Sequence, residues 1–129
     1  MVQEMRALTM SAERNHVKIR TAIVGCGAVA RTHLRVLRKT KEIELVALCD
    51  RDQRSLTAMS KEWNIRHYYT DFAEMLDKER LSMVSILTPP QSHAPIAIEA
   101  IKHGVNLLVE KPLTMTSREA RQILDSVRG

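Results

Sequence analysis

Two glycines and a small residue stand at G-x-G-x-x-A spacing near the start of the chain, in Gly25-Cys26-Gly27-Ala28-Val29-Ala30. A turn of this kind, between a strand and a helix, can hold a dinucleotide pyrophosphate. Gly25 permits a sharp turn, Gly27 lets a phosphate approach the backbone, and Ala30 lets the helix pack closely on the strand. The free N–H groups and the positive dipole end of that helix favour an anion. An ordinary glycine-rich turn is the alternative interpretation.

An acidic residue, Asp50, comes directly after a second apolar run. A carboxylate at that position can accept hydrogen bonds from the adenosine ribose hydroxyls. Arg51 follows at once, and a guanidinium can pair with a 2′-phosphate that a carboxylate repels. We therefore favour NAD and leave NADP open. The alternative for Asp50 is a solvent-facing residue that begins a loop.

Two further groups of polar residues each follow an apolar run. Thr88-Pro89-Pro90-Gln91-Ser92-His93 can meet the nicotinamide half of a cofactor. His93 is either a proton-transfer group or a first-turn helix residue that fixes the loop. In Glu110-Lys111-Pro112, a desolvated Lys111 can orient a substrate hydroxyl or share its proton. A surface lysine at a strand end is an equally weighted alternative.

The elements that must position these residues alternate between strand and helix. The predicted strands are apolar runs: Val17–Val24, Ile43–Cys49, Arg66–Tyr69, Met83–Leu87 and Val105–Val109. Helical spacing of apolar residues predicts a helix after each strand. This alternation predicts a Rossmann-like α/β fold, a doubly wound parallel sheet of five strands in the order 3-2-1-4-5. Helices cover both faces, and a ligand binds at the carboxyl ends of the strands.

Two helix starts carry a capping-box pattern, in which a short polar residue is followed three positions later by Glu. Asp71 with Glu74 predicts one such start, and Thr116 with Glu119 predicts another. The last helix is expected to bury four apolar residues. They are Ala120, Ile123, Leu124 and Val127.

Composition limits the classes of function. The chain has 129 residues, a net charge of +5 and only 3% aromatic residues, and its basic residues are dispersed, so we do not expect nucleic-acid binding. No apolar run is long enough for a membrane helix and no secretory signal is evident, which predicts a cytoplasmic protein.

Cys26 and Cys49 are interpreted as small buried hydrophobes in a reducing compartment. We assign no metal site, and we interpret residues 1–16 as an extension before a domain at 17–129.

Together these motifs resemble the Gfo/Idh/MocA oxidoreductases, a family that includes glucose–fructose oxidoreductase and inositol dehydrogenase. Thr88 to Leu113 is the most specific segment, and the similarity runs from about Val17 to Val127. The resemblance implies hydride transfer between NAD(P) and a hydroxyl carbon of a sugar, inositol or polyol, and it implies a cis Lys111-Pro112 bond.

The resemblance also implies roles for single residues. The pyrophosphate would be bordered by Gly25, Gly27, Ala28 and Val29, and the adenosine ribose would be held by Asp50. The nicotinamide side would be lined by Thr88, Pro89 and His93. Glu110 and Lys111 would lie near the nicotinamide and the substrate, with Lys111 as the catalytic lysine.

The chain departs from the family's pattern at its C-terminal end. Family members continue into a sixth strand and a second α/β domain that supplies most of the substrate pocket, and we expect this substrate domain to be absent and turnover by the chain alone to be lost. The fifth strand would then be a sheet edge, covered by the N-terminal segment, by another chain or by strand exchange. A homo-oligomer or a partner chain is therefore expected. The alternative is a non-catalytic module that binds a nucleotide or a protein.

Overall fold

The five apolar runs form one parallel sheet in the computed structural model, which describes residues 17–129. The strands run in the order β3-β2-β1-β4-β5, as the sequence predicted. Their bounds are β1 Ile19–Val24, β2 Ile43–Cys49, β3 His67–Tyr69, β4 Met83–Ile86 and β5 Asn106–Val109. The predicted extension at residues 1–16 lies outside the described residues.

A helix follows every strand of the sheet. The helices are α1 Ala28–Lys39, α2 Gln53–Trp63, α3 Phe72–Lys78, α4 His93–Lys102 and α5 Ser117–Arg128, and a 3₁₀ turn at Pro90–Ser92 precedes α4. None of the helices within residues 17–129 combines the length and apolar character needed to cross a membrane.

Both faces of the sheet are buried because successive residues of a strand point to opposite faces. In β1, Ile23 packs in a core layer with Leu34 of α1 and Leu56 of α2. Val24, the next residue, packs in the opposite layer with Ala97 of α4. Helices therefore cover both sides of β1, which leaves the carboxyl end of the strand as the place where polar residues emerge.

The two predicted capping boxes have different outcomes. At α5, Thr116 Oγ1 accepts from the Glu119 N–H at 3.2 Å and Glu119 Oε2 accepts from the Thr116 N–H at 3.3 Å, so this box is confirmed. At α3, Asp71 caps the helix by accepting from the Ala73 N–H at 3.0 Å. The predicted box is wrong there, because the Glu74 carboxylate instead pairs with Lys78 one turn later, at 2.7 Å.

The predicted inner face of α5 is only partly correct. Ile123 is buried and Ala120 is half-buried, but Leu124 and Val127 are 45% and 63% exposed. The helix packs against α4, and this contact leaves Leu124 and Val127 exposed.

Candidate dinucleotide-binding site

The first glycine of the turn is required by the neighbouring strand. Gly25 has a φ of +101°, a conformation that L side chains rarely adopt. A Cβ added there would lie 2.8 Å from the Leu87 carbonyl carbon and 2.9 Å from the Thr88 nitrogen. Gly25 therefore lets the end of β1 turn tightly against the chain that leaves β4.

The second glycine faces open space instead. A Cβ added at Gly27 would meet no protein atom within 4 Å. Gly27 is also the N-cap of α1, no side chain caps that helix, and its first turn carries no acidic residue. The uncapped N–H groups and the positive dipole end of α1 thus face a space that no acidic side chain of the first turn occupies. The residues present fit a pyrophosphate at this position.

The small residue of the motif has the packing role that its size suggested. Ala30 is fully buried against Ile23 of β1 and Leu48 of β2. Its single methyl group lets α1 lie close to the sheet. This contact fixes where the N-terminus of α1 points relative to the carboxyl ends of the strands.

Asp50 connects the end of β2 to the glycine turn. Its Oδ2 accepts from the Cys26 N–H at 2.6 Å, and its Oδ1 accepts from the Asp52 N–H at 2.8 Å. A carboxylate has about four acceptor positions, so these two bonds orient the group and leave acceptor capacity for further donors. Arg51 is exposed beside it. A carboxylate and a guanidinium therefore stand together at this end of the sheet.

Cys26 and Cys49 are both buried and free, in agreement with their interpretation as small hydrophobes. Burial, with a smaller contribution from the charge of Asp50, raises the pKa of each thiol to about 12. The thiols are therefore neutral at physiological pH, and a thiolate is the form that reacts as a nucleophile or a metal ligand.

The loop after β4 is stabilised by its own hydroxyl groups. Ser92 Oγ lies 2.6 Å from Thr88 Oγ1 and 2.8 Å from the Pro89 carbonyl oxygen. His93 begins α4 with its side chain inside the protein, 1% exposed. Both of its ring nitrogens lie against backbone carbonyl oxygens, which is the loop-fixing arrangement considered from the sequence.

The turn after β5 carries Glu110 and Lys111. Glu110 Oε2 lies 3.4 Å from Nε2 of His33 on α1. The Lys111-Pro112 bond is cis, as the resemblance implied. Lys111 itself is exposed. The desolvation expected from the sequence is therefore absent in the described part of the chain, because no element of residues 17–129 covers this side chain.

His33 is the site neighbour that sequence reasoning missed. Because His33 occurs at helical spacing with Ala30, Leu34 and Leu37, the sequence pattern indicated that it belongs to the packing face of α1. The sequence did contain one signal that His33 has another role, since it is a polar, titratable side chain among the apolar ones of that face. Its contact with Glu110 depends on the spacing between α1 and β5, which no local pattern encodes.

The predicted residues lie together at the carboxyl ends of the strands, after β1, β2, β4 and β5.

A separate cavity of about 450 Å³ lies beside β3. Its lining includes Tyr68, Glu74 and Lys78 and none of the predicted site residues. Within residues 17–129, no group of three or more His, Cys, Asp or Glu side chains could hold a metal ion.

Comparison with known proteins agrees with this geometry. The Gfo/Idh/MocA family model, described as an oxidoreductase family with an NAD-binding Rossmann fold, matches residues 19–129. A D-apiose dehydrogenase from Paraburkholderia graminis is 34% identical over 122 residues, which are 95% of this chain and 32% of that protein.

Solved structures give the same result. A myo-inositol 2-dehydrogenase from Lactobacillus plantarum superposes with a TM-score of 0.80 at 28% identity, over 86% of this chain and 33% of that one. A WlbA dehydrogenase from Chromobacterium violaceum, in complex with NADH and UDP-GlcNAcA, superposes with a TM-score of 0.83 at 27% identity, over 88% and 33%. The chain spans about a third of the length of the relatives that it matches.

Proposed function

Because this chain belongs to the Gfo/Idh/MocA oxidoreductases and its residues 19–129 form an NAD-binding Rossmann domain of that family, we propose that it binds NAD(H) across the carboxyl edge of its sheet. The reaction it serves is hydride transfer between the nicotinamide and a hydroxyl carbon of a sugar, inositol or polyol. The polyol class is supported by the names of its relatives, among them a D-apiose dehydrogenase and a myo-inositol 2-dehydrogenase.

The observation that carries the proposal is the open N-terminus of α1. Gly27 leaves space over an uncapped helix end, and no acidic side chain occupies the first turn. A pyrophosphate there would accept hydrogen bonds from the N–H groups near Ala28 and Val29. Gly25 contributes to the same site because, without a Cβ, it lets the turn lie tightly against the chain that leaves β4.

Asp50 holds the adenosine ribose in this proposal. Its carboxylate is already oriented by the N–H groups of Cys26 and Asp52, so a ribose hydroxyl meets an acceptor that need not reorganise. Negative charge at this position disfavours a 2′-phosphate, and we therefore favour NAD. Arg51 is exposed next to Asp50 and supplies the cation that a 2′-phosphate would need, so NADP binds more weakly but is not rejected.

The nicotinamide half lies between the loop after β4 and the turn after β5. Thr88 and Pro89 line one side, and Glu110 and Lys111 line the other. The bound dinucleotide supplies the hydride donor or acceptor. In the reducing direction the Lys111 ammonium would donate a hydrogen bond and then a proton to the substrate carbonyl oxygen. In the oxidising direction the neutral Lys111 amine would accept the proton of the substrate hydroxyl.

A substitution at Gly27 tests the proposal without disturbing the fold. The new Cβ of Gly27→Val meets no protein atom, so thermal stability is expected to change little, whereas the side chain fills the space for the pyrophosphate. Calorimetric titration with NADH and NADPH is expected to give micromolar NADH binding to the unsubstituted chain and at least a tenfold loss in the variant, about 1.4 kcal/mol or more.

Thr32→Val is the matched control, since Thr32 is exposed on the same helix more than one turn from its N-terminus. It is expected to bind NADH like the unsubstituted chain. Undiminished binding to Gly27→Val, or no binding of either dinucleotide to the unsubstituted chain, would contradict the proposal.

A non-catalytic nucleotide-binding role is the second candidate, and the exposure of Lys111 favours it. An exposed lysine lacks the enclosure that orients a substrate and excludes water. Incubation of the 129-residue chain with NAD and a panel of polyols separates the two roles. NADH formation that Lys111→Ala abolishes would exclude the non-catalytic role.

A further inference from the structure

We propose that His93 is a positioning residue that sets the distance between the nicotinamide-side loop and the turn that carries Lys111. The inference rests on the proposed function, because both segments are assigned there to the nicotinamide half of the site. It assigns His93 neither contact with the substrate nor a share in proton transfer.

The geometry joins two segments that are far apart in sequence. Nε2 of His93 lies 2.7 Å from the Thr88 carbonyl oxygen, in the loop after β4. Nδ1 lies 2.9 Å from the Pro112 carbonyl oxygen and 3.2 Å from that of Leu113, directly after Lys111. One imidazole ring therefore spans the space between the two segments.

The chemistry of the ring explains why histidine suits this place. Carbonyl oxygens accept hydrogen bonds, so each ring nitrogen is useful here only when it carries a hydrogen. A neutral imidazole donates to one side of the bridge and a protonated imidazole donates to both. In either form both nitrogens face the backbone, and His93 is only 1% exposed. No ring atom is left to exchange a proton with a substrate.

The bridge complements the exposure of Lys111. The side chain of Lys111 is free in solvent, but the backbone that follows it is tied to the first helical residue of α4. Small displacements of reacting groups reduce rates and selective binding strongly, so a fixed backbone here has a direct consequence for nicotinamide placement. The adenine half of the site, near Asp50, belongs to neither of the two segments that His93 connects.

Paired titrations with NADH and ADP-ribose test this assignment, since ADP-ribose lacks the nicotinamide. His93→Phe keeps an aromatic ring and removes every imidazole N–H donor, whereas His93→Gln supplies one amide N–H₂ donor group. We expect His93→Phe to bind NADH about tenfold more weakly while ADP-ribose binding stays within about twofold. The affinity of His93→Gln for NADH is expected to lie between those of His93→Phe and the unsubstituted chain.

Met59→Ala is the control for general destabilisation, since Met59 is buried on α2 and belongs to the other core layer. It is expected to change the two affinities by the same factor. Equal weakening of NADH and ADP-ribose by His93→Phe, or no change in either, would overturn the positioning role.

A measurement on the unsubstituted chain covers the case in which His93→Phe does not fold. In proton–nitrogen NMR spectra, at least one imidazole N–H of His93 is expected to be protected from exchange with water. Rapid exchange of both positions would overturn the bridge. Failure of the unsubstituted chain to bind NADH would contradict the proposed function instead, and the NMR spectrum would still report on the bridge.

Discussion

Single residues at this site are oriented by the protein before any ligand is present. Cys26, between the two glycines, donates its N–H to Asp50, which in turn accepts from Asp52 at the start of α2. The side chain of Cys26 points the other way, into the protein, where it is 5% exposed. The same residue thus shapes the ligand side with its backbone and the core side with its thiol.

The two buried thiols predict a loss of stability in alkali. Burial raises the pKa of Cys26 and Cys49 to about 12, whereas a cysteine in an unfolded chain titrates near 8.5. Below about pH 8 both states keep their thiol protons, so the stabilisation is fully present. As pH rises from about 9 towards 12, the unfolded chain releases protons that the folded chain retains, and the free energy of unfolding falls.

Urea denaturation at pH 8 and pH 10 measures this effect. We expect the free energy of unfolding to drop by about 2 kcal/mol per thiol between the two values. The double variant Cys26→Ala with Cys49→Ala is the control, because other alkaline groups such as Tyr69 remain in it. An equal drop in the variant and in the unsubstituted chain would contradict the prediction.

At the scale of elements, the strands and helices were predictable and some of their faces were not. Ile43–Cys49 has the predicted bounds, and a helix follows each strand as predicted, because apolar runs and helical spacing are local patterns. The α3 capping box was wrong because Lys78, one turn away, competes for Glu74. The inner face of α5 was half wrong because burial depends on what lies beneath the helix, which its own sequence does not state.

Neighbouring residues of α5 should therefore differ sharply in their effect on stability. Ile123 is 8% exposed and Leu124 is 45% exposed. We expect Ile123→Ala to lower the free energy of unfolding by about 2–4 kcal/mol, because it leaves a cavity in the core. Leu124→Ala is expected to cost less than about 1 kcal/mol. Chemical denaturation of both variants checks this, and equal losses would mean that α5 buries its full stripe.

The candidate site was likewise predictable from the sequence only in part. The glycine turn, Asp50 and the two carboxyl-edge segments were predictable, because a parallel sheet brings the ends of its strands together. For Lys111 and His93 the sequence left two alternatives open, and it did not indicate the contact of His33 with Glu110. These features depend on how segments far apart in the sequence lie against one another, and residue spacing within one element carries no information about that.

At the scale of the whole molecule, one margin of the sheet stands out. β5 is an edge strand of the described sheet, and Leu108 on it is 44% exposed. On α5, Leu124 and Val127 are exposed as well. Edge strands with apolar neighbours pair readily with further strands. Within residues 17–129, β5 is the sheet edge that the sequence led us to expect, and what covers it stays a prediction.

We expect the 129-residue chain to self-associate with increasing concentration through this margin. Size-exclusion chromatography with light scattering measures the mass, and Leu108→Lys is expected to shift it towards the monomer because a charge at the edge disfavours strand pairing. Tyr68→Lys is the control, since Tyr68 is exposed on β3, at the opposite edge of the described sheet. A monomer at every concentration would contradict self-association.

The two glycines of the turn imply different histories under selection. Gly25 is required by the main chain of Leu87 and Thr88, so every descendant that still folds must keep it. A Cβ at Gly27 would touch no protein atom, so this position is free to change once no ligand needs the space. A lineage that has abandoned its nucleotide would retain Gly25 and lose Gly27. A library of variants sorted first for folding and then for binding would reproduce that divergence in the laboratory.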